Sequence, residues 1–117
     1  MSQWIDVCSI GDLQPHSGVC ALVDEKQVAI FYMPEDDAVY AINNYDPFSH
    51  INILSRGLIG DIKGEPMVSS PIYKQHFSLK TGLCLEDENV TVDAYAIRIS
   101  GDRVEVNTHI KPGSATQ

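Results

Sequence analysis

The sequence predicts an all-β domain, on three observations. Its apolar and β-branched residues come in short runs, clusters of Gly, Pro, Asn and Asp separate those runs, and helical periodicity is nearly absent. At 117 residues, 44% hydrophobic and 21% charged, the chain suits a single ordinary soluble domain and leaves little room for two separate cores.

The elements follow in order. Residues 4–8 read as a first strand, and Ser9-Ile10-Gly11-Asp12-Leu13 can make one helical turn before Pro15 and Gly18 break it. Residues 19–23 and 27–33 are two apolar runs predicted to form a hairpin across Asp24-Glu25-Lys26. After a turn at residues 34–37, residues 38–42 give a third strand of the meander. From residue 43 to residue 70 turn chemistry takes over, with Asn43-Asn44, Asp46-Pro47, Gly57, Gly60, Gly64 and Pro66 interrupting short apolar pairs. Regular alternation returns in a hairpin of residues 76–79 and 83–85 about a Lys80-Thr81-Gly82 turn, and in a closing hairpin of residues 95–99 and 104–107. The domain is expected to span residues 1–110, with residues 111–117 a small, polar, flexible tail.

Charge narrows the partners. Sixteen acidic against eight basic side chains give a formal charge of −8, so phosphate backbones and anionic lipid are poor partners, and neither nucleic acid nor membrane is expected. With no apolar run near membrane-helix length and no signal-like start, the expected compartment is the cytoplasm. Cys8, Cys20 and Cys84 are odd in number, widely spaced and set among apolar residues, a pattern of reduced core thiols rather than of a disulfide framework. His16, His50, His76 and His109 lack metal-ligand spacing, and the glycines open no phosphate loop.

A long excursion in a compact domain usually serves function, which directs attention to residues 43–74. Two segments there carry a specific resemblance: Tyr45-Asp46-Pro47-Phe48-Ser49, and Ser70-Pro71-Ile72-Tyr73-Lys74-Gln75 running into His76-Phe77-Ser78-Leu79-Lys80-Thr81-Gly82. Both resemble the two cluster-binding loops of Rieske domains. In that family the first loop carries Cys-Pro-His and the second Cys-Pro-x-His before an aromatic strand and a Thr-Gly turn. The resemblance implies a Rieske-like antiparallel β sandwich or small barrel with two long loops. It places Asp46 and Ser70 at the cysteine positions and Phe48 and Tyr73 at the histidine positions, so the four cluster-ligand positions are degenerate.

A Rieske centre needs two thiolates on one iron and two imidazoles on the other. Phe48 offers no lone pair, and the hard oxygens of Asp46, Ser70 and Tyr73 replace soft thiolate poorly. No cluster, metal or other cofactor is therefore expected in this chain, and no catalytic residue. With Tyr40-Ala41-Ile42-Asn43-Asn44 and Leu54-Ser55-Arg56-Gly57 added, the pattern resembles the small subunits of NAD(P)H-dependent assimilatory nitrite reductases from Trp4 to about Val106. That resemblance implies an accessory subunit with no chemistry of its own. Its partner would be a large subunit holding FAD, an iron-sulfur cluster and siroheme, which reduces nitrite to ammonia.

Phe48, Ile53, Tyr73 and Lys74 are the candidate partner contacts, because the loop tip is the face that a Rieske-like domain presents. Asp46 is expected to cap its own Pro47 turn, Tyr73 to hydrogen-bond across the loops, and Phe48, Ile72 and Tyr45 to fill the volume between them. Arg56, Lys63, Lys74 and Lys80 form either a docking patch or a scattered set of solubilising charges. Two rival functions are a ferredoxin-like electron carrier, opposed at all four ligand positions, and an oxygen-ligand metal enzyme using Asp46, His50, Tyr73 and His76.

Overall fold

The computed structural model describes residues 4–36 and 38–109. The expected tail, residues 111–117, lies outside them. Strand β3 (Lys26–Met33) carries the longest apolar run, and its alternate residues feed two cores. Ala29, Phe31 and Met33 enter one buried cluster while Val28 and Ile30 enter the other, as the period of two in any strand requires. A strand covered on both faces needs no polar alternation, and the run reads as continuously apolar for that reason.

Around it lies a six-stranded antiparallel sheet. The flanking strands are β1 (Ile5–Ser9), β2 (Gly18–Val23), β4 (Ala38–Asn43), β10 (Ala94–Ser100) and β11 (Arg103–Asn107), in the order β1-β11-β10-β4-β3-β2. The sequence predicts a three-residue link between β2 and β3. Only Asp24 and Glu25 make it, because Lys26 pairs with Val23, and their φ values of 54° and 67° give the two-residue left-handed turn that suits strand twist. Tyr95, Val104 and Val106 join Val28 and Ile30 in the core that this sheet curls around.

The excursion is more regular than its composition suggests. It contains the short ribbon β5 (Tyr45–Asp46) and β6 (Ile51–Asn52), then β7 (Leu58–Ile62) and β8 (Glu65–Ser69), which pair through a two-residue turn at Lys63 and Gly64. Strand β9 (His76–Ser78) completes a three-stranded sheet in the order β7-β8-β9. Met67 and Val68 of β8 are buried, and Val68 and Phe77 join Phe31 and Ile42 of the large sheet in the first core. Fully burying one such side chain stabilises the fold by about 1.5–3 kcal/mol, enough to hold strands interrupted by Gly60 and Pro66.

The hairpin expected at residues 76–85 narrows to a single bridge between Phe77 and Cys84. Hydrogen bonds from Ser78 N to Leu83 O (2.9 Å) and from Leu85 N to His76 O (2.8 Å) close it. Ser78 O accepts from Gly82 N at 2.8 Å, and Gly82, at φ 82°, is pressed so closely to the Val92 carbonyl that a Cβ there would collide with it.

Candidate functional site

The two loops are one turn built twice. Asp46 and Ser70 end strand-like segments, each is followed by proline, and each carries a short side-chain oxygen suited to bonding an amide two residues on. In the first loop Phe48 N donates to Asp46 Oδ1 at 2.9 Å and His50 N to Asp46 O at 2.8 Å. In the second, Ile72 N donates to Ser70 Oγ at 3.3 Å and Lys74 N to Ser70 O at 3.1 Å. His50 and Lys74, the closing residues, both take the left-handed conformation, at φ 62° and 68°. Ser70 Oγ then donates to Asp46 Oδ2 at 2.5 Å, joining the turns, and Ser49 Oγ donates to the same oxygen at 2.9 Å. Asp46 and Ser70 are fully buried.

Asp46 thus caps its own turn, but the bond across the loops belongs to Ser70 and not to Tyr73, whose ring is 58% exposed. The space between loops and core is filled by Phe48, half-buried and packed on the first core. Ile72 and Tyr45 face outward at 43% and 37% exposure and do not share that role. Lys74 is exposed and Ile53 half-buried. Ile51 pairs with Asp46 and is itself exposed. On the two loops the exposed large side chains are therefore Tyr45, Ile51, Ile72 and Tyr73.

The other groupings disperse. In the register of the three-stranded sheet Lys63 and Lys80 lie toward the end of β8 that begins at Glu65, and Lys74 lies beyond Ser69 at the other end. Four residue steps of about 3.3 Å separate those ends, so Lys74 does not share an end of the sheet with Lys63 and Lys80. Among the metal-enzyme candidates, His50 Nδ1 is hydrogen-bonded to Tyr45 Oη at 2.7 Å and His76 Nδ1 to Glu86 Oε2 at 2.7 Å. Asp46 is turned into the domain while Tyr73 is turned out of it. Among the described residues no group of three or more His, Cys, Asp or Glu is placed to hold a metal ion.

A two-iron, two-sulfur cluster does not fit these loops. Asp46 is filled by three hydrogen bonds from within the domain, Phe48 has no donor atom, and Tyr73 points away. Thiolates would have to come from elsewhere, yet Cys8 lies in β1, Cys20 in β2 and Cys84 beside β9. Burial raises all three thiols above the ordinary cysteine value, which disfavours the thiolate that iron requires.

Comparison with known proteins gives the kinship of the fold. Residues 3–107 match the Rieske-like 2Fe-2S domain family. The NADH nitrite reductase small subunit of Escherichia coli is 49% identical over 106 residues, covering 91% of this chain and 98% of that protein. The solution structure of the E. coli protein NirD superposes with a TM-score of 0.84 at 48% identity, covering 92% of this chain and 97% of that one. A further match, at 37% identity over 103 residues, takes 88% of this chain but only 11% of the NAD(P)H nitrite reductase large subunit of Klebsiella oxytoca. A family match over residues 3–107, with relatives 48–49% identical and covered almost end to end, places the chain in the family of nitrite reductase small subunits within the Rieske-like domains.

Proposed function

We propose that this chain is the non-catalytic accessory subunit of a cytoplasmic NAD(P)H-dependent nitrite reductase, that it carries no iron-sulfur cluster, and that it docks on the large subunit through its loop tip. The observation that carries the reading is the Asp46–Ser70 hydrogen bond at the former ligand positions, which uses both side chains inside the domain. Siroheme, an iron-sulfur cluster and FAD then belong to the large subunit, where nitrite becomes ammonia. Supporting the partner is the Klebsiella oxytoca large subunit, in which a domain like this one occupies 11% of the chain. A domain that is separate in one relative and covalently joined in another works beside the same machinery.

Tyr73 and Lys74 are proposed as direct contacts, joined by Ile72 and Tyr45 on the same exposed tip. Phe48 and Ile53 are half-buried and support the contact surface from beneath. A ferredoxin-like electron carrier and an oxygen-ligand metal enzyme both require bound iron or another metal. Anaerobic purification followed by iron and acid-labile sulfide assay tests this directly. Colourless, iron-free protein that co-purifies with the large subunit and alone reduces no nitrite is the expected result. Near-stoichiometric iron and sulfide, or nitrite reduction by this chain alone, overturns it.

A further inference from the structure

In Rieske-type loops a metal cluster ties one loop to the other, and here the side chains of the paired turns do not fit such a cluster because Asp46 is bonded within the domain and Phe48 has no donor atom. We infer that Asp46 and Ser70 are its organic replacement: a buried hydrogen-bonded staple that holds the two loops in register without any metal. The inference rests on the cluster-free reading and goes further, because it assigns the shape of the tip to two named side chains.

Three observations carry it. First, the bond is the meeting point of two equivalent turns. Asp46 receives Phe48 N and His50 N from its own loop, and Ser70 receives Ile72 N and Lys74 N from its own. Fixing Asp46 to Ser70 therefore fixes both turns. Second, both residues are fully buried, and a hydrogen bond to a buried carboxylate is stronger than a neutral one while its loss leaves a costly unpaired group. Third, Ser70 Oγ is used twice, as donor to Asp46 Oδ2 and as acceptor from Ile72 N. That double use makes a chain Ile72–Ser70–Asp46–Phe48 running from one loop to the other through hydrogen bonds alone.

The staple also explains which side chains reach the surface. With Asp46 and Ser70 turned inward, Phe48 follows into the core, and Tyr73 and Lys74 are carried outward on the turn that Ser70 closes. The geometry presented to a partner is set by this pair, and neither redox state nor metal supply alters it.

Amide hydrogen exchange on the full chain, with iron assayed in the same samples, tests the inference. Wild type should keep its Phe48 and Ile72 amides protected in the presence of a strong chelator. Ser70→Ala, altered only in the second loop, should speed exchange at Phe48 in the first loop by about tenfold or more. Asp46→Asn should speed exchange at Ile72 and Lys74 in the same way, and the two changes combined should be less than additive, because the charge-assisted Ser70–Asp46 bond is lost in both while each also disturbs its own turn. Loss of protection on chelation with iron present overturns the staple and the cluster-free reading together. Iron-free protein in which Ser70→Ala leaves the Phe48 amide unchanged overturns the staple alone. Should Ser70→Ala fail to fold, Asp46→Asn gives the same decision from the opposite loop.

Discussion

The ring of Phe48 lies 6.1 Å, centroid to centroid, from the ring of Phe77, inclined at 47°. A residue of the loop tip is thereby anchored to the middle of β9, where Phe77 pairs with Val68, is fully buried and is bridged to Cys84. Tilted aromatic pairs at this separation add about 0.5–1.5 kcal/mol to their burial.

Phe48→Ala is expected to destabilise the domain by about 2 kcal/mol, below the 3–5 typical of a fully buried phenylalanine because Phe48 is only half-buried. Its thermal midpoint should fall by roughly 10 °C. Phe48→His should be destabilising too and should bind no iron, since Asp46, Ser70 and Tyr73 remain at the other positions. Calorimetry of both variants with an iron assay checks this; a coloured, iron-bearing Phe48→His protein would contradict it.

Gly82 stands at φ 82° against the carbonyl of Val92. Gly82→Ala meets both a left-handed backbone and a clash, so a loss of about 2 kcal/mol or more is expected in denaturant unfolding. Gly64, also left-handed at φ 86°, has open space where its Cβ would be. Gly64→Ala should cost about 1 kcal/mol, and equal costs for the two changes would refute the role assigned to the Val92 contact.

Glu86, one residue past Leu85, is bonded back to His76 at the start of β9. Partial burial works to raise its pKa, but hydrogen bonds from His76 N (2.8 Å) and the His76 ring (2.7 Å) outweigh it and hold the carboxyl below its ordinary value. A depressed carboxyl binds protons more weakly when folded than when unfolded. Its stabilisation is therefore complete above the unfolded value, about pH 4.3, and is lost as pH falls through the lower folded one. Glu86→Gln should lower stability at neutral pH and flatten the acid limb of the stability curve. An unchanged acid limb in urea titrations across that range would show that the His76 pair contributes nothing.

Much of this was legible in the sequence, and the exceptions have physical causes. The meander around β3 follows from the β-branched run at Lys26–Met33, and the loop frame follows from Asp46-Pro47 and Ser70-Pro71. The hairpin of β7 and β8 was hidden because Gly60 and Pro66 count against a strand locally, while burial of Met67 and Val68 against the large sheet decides the outcome. Tyr73 is the expected cross-loop partner because the resemblance puts it at a ligand position between loops that approach each other. The repeated spacing held the better signal: a short oxygen side chain before proline in both loops makes matching turns, and only Ser70 then sits opposite Asp46.

The most direct measurement of the central claim is the affinity of the full chain for the nitrite reductase large subunit, with Tyr73→Ala and Lys74→Glu compared against wild type. Tyr73 is 58% exposed and Lys74 is exposed, so neither change should disturb the fold. Docking through the tip predicts that Tyr73→Ala weakens binding by about 2 kcal/mol, roughly thirtyfold, and that Lys74→Glu slows association and changes its salt dependence. Unchanged affinity and unchanged association rate in both folded variants would contradict the account and place the interface on another face of the domain.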